Sequence, residues 1–326
     1  MSNLASKTVA TAGLRFLFQF ILDSCVLIAF LKMSLEGTDE IFEKFSSIAG
    51  AKVFGSGLKK FLFIKGTREN RVLLVAHADT WWDGSYSGLQ SGNCAPAEIF
   101  EDSGIIRNKN GGLGADDRAG CAIVWLLKDL GHSILITNGE EHGRQGSNYL
   151  VDAHPDIKDE INNDHQFVVQ FDRRNARDFK CYRVGTDEFR EYVKGKTGTY
   201  DREKKSFSEP DFISATDIVT LCRSVCGVNL SVGYKGEHTD DELLVIRDWE
   251  NTLDLSRKWF SEPDIPRFGL TWHKGLGWII QMTRGTGPIR LIDDIGRGFD
   301  MSGMTSERNW HLLWGGYLAR TRTGIR

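Results

Sequence analysis

Paired cysteines are the first thing this chain lacks. Its six cysteines (Cys25, Cys94, Cys121, Cys181, Cys222 and Cys226) are scattered and none forms a CxxC pair. Neither a zinc ribbon nor a compact disulfide framework is therefore indicated, and a reducing, cytoplasmic setting is the expectation. A dominant charge is missing too. Lys and Arg number 41 against 44 Asp and Glu, a formal net charge of -3, which gives no reason to expect nucleic acid or an anionic membrane surface as a partner. No internal repeat or low-complexity tract is present, and no long apolar run is uninterrupted. The strongest run, residues 13–32, contains Arg15 and Asp23, and a charge near mid-span is expensive in lipid. It reads as a buried or docking helix in preference to a membrane anchor or a signal peptide. Met33 follows it directly and is a candidate start for a shorter functional chain.

What is present is enough for a core. With 326 residues, 40% of them hydrophobic, the chain can form one large domain with attachments or two modest ones. From about residue 36 helix and strand patterns alternate. An amphipathic stretch, DEIFEKFSSIAG, precedes strand candidates at 61–66, 71–77, 132–138 and 166–172. Short apolar runs between helical segments predict an α/β protein with a mainly parallel, buried sheet. DDRAGCAIVWLLKDLG reads as a helix, because Ile123, Leu126, Leu127 and Leu130 share a face and Gly131 is placed to end it. A second helix is expected through TDIVTLCRSV, then a strand at 228–233. A third is expected from Thr239, where Thr239 and Glu242 make a Thr-x-x-Glu capping box, towards Trp259. Residues Trp81 to Leu113 fit no regular element and suggest a surface insertion over the mouth of a site. The predicted organisation is an N-terminal helical segment (1–35), a catalytic domain (36–260) and a C-terminal extension (261–326). That extension is rich in glycine and tryptophan (Trp272, Trp278, Trp310, Trp314) and leans basic.

Five short motifs carry the chemistry: HAD at His77–Asp79, GADDRAG around Asp116, GEE ending at Glu141, QFD ending at Asp172, and GEHTDDE around His238. His77, the Glu140 and Glu141 pair, and Asp172 each fall at or just past the C-terminal end of a predicted strand, the edge where open parallel sheets bind ligands. Asp116 at a helix start and His238 after a strand can reach the same edge. Alone, each has a structural explanation. His77 could be a hydrogen-bonded core residue, Asp117 a helix cap, and the Glu pair a solvated surface feature. Asp172 needs either a metal or an arginine such as Arg173 or Arg174. Tyr234 could stabilise an oxyanion or simply pack. The remaining histidines, His132, His142, His154, His165, His273 and His311, default to surface or hydrogen-bonding roles. Together the motifs supply two imidazoles and several carboxylates, which is what a two-metal hydrolytic site needs.

The ordered set resembles the co-catalytic dizinc exopeptidases, the clan that includes zinc-dependent leucyl aminopeptidases, peptidase T and glutamate carboxypeptidase. The likeness spans roughly residues 36–260, with GADDRAG and GEEHGRQGS especially close. It implies a three-layer α/β/α fold of the phosphorylase/hydrolase-like type. It also implies two zinc ions, with manganese or cobalt as alternatives. One would be held by His77 and Asp172, the other by Glu141 and His238, with Asp116 bridging them. Asp79 would orient His77, and Glu140 would be the general base. Many carboxypeptidase-like relatives insert a lid domain before the last ligand. Here 238 minus 172 leaves 66 residues, which predicts the single-domain aminopeptidase arrangement without a lid. The expected substrate is a small peptide, most simply of an aminopeptidase. The rivals are a deacylase of N-acyl amino acids using the same site, and a non-catalytic binding protein that retains the fold.

Overall fold

In a computed structural model of the chain, the predicted strands form one sheet because alternate side chains have separate cores to enter. The structure describes residues 19, 21–82, 98–200, 205–206, 209, 215–270 and three short strands between 279 and 300. Residues 83–97, Cys94, His273, His311 and the four C-terminal tryptophans lie outside the described residues. The elements begin with α1 (21–31), α2 (Asp39–Ser46), β1 (Lys52–Phe54), β2 (Phe61–Ile64) and β3 (Leu73–His77). A hairpin of β4 (Ile99–Asp102) and β5 (Ile105–Asn108) leads to α3 (Ala115–Leu127) and β6 (Ser133–Thr137). Next come α4 (Gln145–Ala153), α5 (Pro155–Asp164), β7 (Val168–Arg173), β8 (Phe179–Lys180) and α6 (Asp187–Thr197). A short pair, β9 (Thr199–Tyr200) and β10 (Lys205–Ser206), precedes α7 (Asp217–Leu221) and β11 (Gly227–Ser231). The hairpin β12 (Tyr234–Lys235) and β13 (Leu243–Val245) then runs into α8 (Ile246–Phe260).

The main sheet has the order β1-β2-β6-β3-β7-β11-β8. The pairings β6–β3, β3–β7 and β7–β11 are parallel, and the flanking pairings are antiparallel. Leu62, Leu74, Ala76, Ile134, Ile136, Val169 and Phe171 enter one core, shared with α1, α2, α3 and α8. Phe61, Phe63, Leu73, Val75, Leu135 and Val168 enter the other, shared with residues of α4, α5 and α7. Helices on both faces of a sheet with a parallel centre make the three-layer α/β/α architecture.

The described part of the apolar N-terminal run, residues 21–32, docks as expected. Leu27, Phe30 and Leu31 are fully buried, and Asp23 receives both Nη atoms of Arg257 on α8, at 2.5 and 2.7 Å. Among the described residues no helix is long and apolar enough to cross a membrane. The cysteines described (Cys25, Cys121, Cys181, Cys222, Cys226) are all free thiols. By spatial grouping the chain divides into residues 1–272 and 273–326. The first unit keeps Ile265 and Phe268 in its core. The described part of the second is an antiparallel three-stranded sheet, β14 (Ile279–Gln281), β15 (Arg290–Ile292) and β16 (Gly298–Asp300).

Three sequence expectations are corrected. The stretch from Trp81 to Leu113 is not without regular structure, because β4 and β5 form a hairpin with Ser103 and Gly104 both at positive φ (54° and 79°). That hairpin joins a second sheet of order β12-β13-β5-β4. The helix at TDIVTLCRSV stops at Leu221, since Asn162 Oδ1 accepts the N–H groups of Arg223 and Ser224 and turns the chain away. No helix begins at Thr239. Residues 236–242 are the turn of the β12–β13 hairpin, Thr239 Oγ1 donates to Gly236 O, and the helix starts only at Ile246. α3 ends at Leu127 and passes into a single 3-10 turn, Lys128–Leu130, which Gly131 ends in the left-handed region at φ 78°.

Candidate active site

The site assembles at the C-terminal edge of the parallel strands, and its geometry starts from small residues. Gly120 of GADDRAG faces β7 so closely that a Cβ would lie 2.0 Å from Phe171 O and 2.2 Å from Asp117 Oδ1. Gly114 holds φ 65° against Leu35. These two glycines let the loop and first turn of α3 lie directly on the strand ends. The peptide bond between Asp116 and Asp117 is cis. Asp117 is fully buried; its Oδ1 accepts from Gly120 N and its Oδ2 from His77 N, both at 3.1 Å. It caps the helix and fixes the end of β3 together. Arg118, also buried, ties Ala78 to Ser34 and Gly37 of the segment after α1.

Around this frame stand the five residues singled out as metal ligands. His77 Nε2 lies 3.2 Å from Asp116 Oδ1 and 3.6 Å from Asp172 Oδ1. His238 Nε2 lies 3.3 Å from Asp116 Oδ2 and 2.8 Å from Glu141 Oε1. Two ligand groups result, His77–Asp116–Asp172 and Asp116–Glu141–His238, each with its donor atoms within 4.8 Å of one another. The two oxygens of Asp116 face different groups. A proton on His77 Nδ1 donated to Asp79 O, 3.1 Å away, leaves Nε2 with its lone pair towards the cluster.

Asp79 is fully buried, and its carboxylate does more than face His77 at 3.5 Å. Oδ1 accepts from Glu140 N and Oδ2 from Glu141 N, so one side chain joins the loops after β3 and β6. Burial opposes its ionisation, but the neighbouring imidazoles of His142 and His77 outweigh this and hold it well below the usual carboxylate range. His142 therefore sits beside the site, with Nδ1 3.8 Å from Asp79 Oδ2, and not at the surface. His132 and His165 keep the expected hydrogen-bonding roles, at Val72 N and Phe260 O and at Glu160 O respectively.

Asp172 is fixed from four sides. It lies at a register shift between β7 and β11, where the Asn229 side chain takes over the backbone hydrogen bonds of Asp172 at 2.9 and 2.7 Å. Gln170 and Thr216 donate to Oδ2 and Tyr234 donates to Oδ1. A bulge of this kind re-aims a side chain beside an active site. Tyr234 packs in the core, as expected, and its hydroxyl also holds Asp172, which takes the place of the oxyanion expectation. Arg174 pairs with Glu237 at 2.8 Å, and Arg173 Nε lies 3.8 Å from Asp178.

Five carboxyl groups (Asp79, Asp116, Asp172, Glu140, Glu141) crowd around two imidazoles, and the electrostatics register this. Burial, then repulsion from Asp172, pushes Glu140 well above the normal range, and burial and Asp116 push Glu141 to about 7. Asp172 is raised by burial. Burial disfavours charge on His77 and His238, yet hydrogen bonds that they donate to the surrounding carboxylates outweigh it. His77 rises well above 6.5 and His238 rises to about 10. The cluster is short of positive charge.

Two neighbours were not foreseen. Glu242 is 2% exposed and accepts three backbone N–H groups, from Leu113, Gly114 and Asp116. Its Thr-x-x-Glu spacing imitated a cap, and its true partners are more than 120 residues away. Trp81 stacks on the His238 ring, with centroids 4.6 Å apart and planes 13° from parallel. No motif marks it beyond its place just after HAD.

The sequence model described as Peptidase family M28 matches residues 62–224, half of the 326-residue chain. The matched segment holds His77, Asp79, Asp116, Glu140, Glu141 and Asp172 and ends before His238. Among solved structures, the TET1 peptidase of Pyrococcus horikoshii is similar with a TM-score of 0.50 at 14% identity, covering 72% of this chain and 98% of its own. An aminopeptidase of the archaeon Desulfurococcus kamchatkensis gives 0.50 at 13% identity, covering 74% and 96%. No curated protein matches the chain. At these identities the structural likeness speaks for the fold.

Proposed function

The chain belongs to Peptidase family M28, and from that membership we propose that it is a two-metal exopeptidase, an aminopeptidase acting on small peptides. The observation that carries the proposal is Asp116, whose two carboxylate oxygens face two separate groups of ligand atoms. A shared carboxylate between two imidazole-containing sets suits a pair of borderline-soft cations such as zinc. The excess of carboxyl groups fits too, since bound cations would offset the burial and the repulsion that raise Glu140, Glu141 and Asp172. His77, Asp116 and Asp172 would hold one ion, and Asp116, Glu141 and His238 the other. When bound, the pair supplies Lewis acidity towards the scissile carbonyl and brings water ionisation near neutral pH.

The protein's own groups do the rest. Glu140 follows β6 at the same edge, and its side chain belongs to neither ligand group. A buried carboxylate in that position is suited to general-base work. It takes a proton from the attacking water and delivers it to the departing amine nitrogen, so that it ends the cycle as it began. Asp79 keeps the Glu140 loop in register with His77 through the two amides that it accepts. No serine or cysteine nucleophile is needed.

The test is amino acid release from a panel of dipeptides and N-acyl amino acids, with and without a chelator. Chelator-sensitive cleavage of peptides bearing a free amine supports the reading. Cleavage confined to N-acyl amino acids would convert it to a deacylase. Loss of all turnover in zinc- or manganese-supplemented protein would leave only a binding role.

A further inference from the structure

Glu242 lies in the same seven-residue turn as His238, yet its carboxylate leaves that turn entirely. Oε2 accepts Leu113 N at 2.9 Å and Gly114 N at 2.7 Å, and Oε1 accepts Asp116 N at 3.1 Å. Only a carboxylate offers two acceptor oxygens with no donor to such a nest of N–H groups. The turn therefore provides one side chain to the cluster, His238, and holds the backbone of another, Asp116. His77 and Asp172 stand on β3 and β7, outside that turn.

We propose that Glu242 is a positioning residue that fixes Asp116 relative to His238, so that its loss weakens the Asp116–Glu141–His238 cation site ahead of the His77–Asp116–Asp172 site. The inference rests on the two-metal reading above. In Glu242→Gln the shape is kept, but one oxygen becomes an N–H₂ donor. Whichever way the amide turns, at least one backbone N–H faces a donor and is left unpaired. The freed loop lets Asp116 drift from His238, and the second site feels the drift at two of its three ligands.

Stepwise zinc affinities, measured on metal-free protein by competition with a chromophoric chelator, test this. Wild type should bind two zinc ions. In Glu242→Gln the first should bind within a few fold of wild type and the second about 10- to 100-fold more weakly, the usual effect of a residue behind the ligands. Activity should return as zinc is raised. Thr239→Ala, which loses only the bond to Gly236 within the turn, should leave both affinities intact. Glu242→Asp, with both oxygens on a shorter stem, should show the same asymmetry and replaces Glu242→Gln if that variant does not fold. Two wild-type affinities in both Glu242 variants, or equal weakening of both ions, would overturn the inference while the two-metal reading stands. A wild type that takes up no zinc would overturn both.

Discussion

His77 and Asp172 stand at the ends of adjacent parallel strands, nearly buried, whereas His238 occupies a hairpin turn at φ 63° with 35% of its side chain exposed. Asp116 belongs to both neighbourhoods. The strand-end half inherits its rigidity from the sheet, since Asp172 is held by Asn229, Gln170, Thr216 and Tyr234. The turn half must be braced locally, by Glu242 from behind and Trp81 on the ring face. The contrast teaches that the proposed two-metal site has a preformed side and an adjustable side. Sites on strands are held more precisely than sites on loops.

Breaking the shared residue should erase the contrast. Asp116→Asn is expected to lose both zinc ions and all measurable peptide hydrolysis, as read by metal analysis and amino acid release. If one ion stayed at wild-type affinity, the halves would not share Asp116. Removing the base should leave the contrast untouched. Glu140→Gln is expected to lower kcat by about 10²- to 10⁴-fold with zinc content still near wild type. Retained activity would sink the assigned base.

Acid should act on the scaffold as well as on the site. Burial holds both His132 and His165 down to about 4. They are neutral when folded but take a proton near pH 6.5 when unfolded. Their contribution to stability is therefore complete above about pH 6.5 and is lost progressively as the pH falls through 4. The loss is at most about 1.4 kcal/mol per pH unit for each histidine. Urea unfolding of metal-free protein should show wild type losing stability relative to His132→Gln on going from pH 7 to pH 5, which isolates the His132 contribution from that of the site's own titrating groups. The mildest effect is expected at the ring face. Trp81→Ala should weaken only the second zinc, by about 2- to 10-fold, the worth of an aromatic contact.

The strand-end half was legible because its signals are local. An apolar run followed by His or Asp marks β3 and β7, and Gly131 marks the end of the 3-10 turn that follows α3. The turn half was harder for the opposite reason. Thr239 to Glu242 satisfies the local rule for a helix cap, but Glu242 spends its carboxylate on a loop far away in sequence. No local pattern encodes that pairing. The β4–β5 hairpin could have been found, since Ser103–Gly104 between IFED and IIRN is the small-residue turn that tight hairpins favour. The partners of Asp172 could not, because Asn229 and Tyr234 reach it only once β7 and β11 are side by side. The family match covers His77, Asp116, Glu141 and Asp172 and stops short of His238.

The central claim is that Asp116 divides one pocket between two cations. Anomalous diffraction at the zinc edge from zinc-equilibrated crystals tests it most directly. The account predicts two peaks, one touched by His77 and Asp172, the other by Glu141 and His238, with Asp116 between them. A single peak, or a second peak away from Asp116, would contradict it.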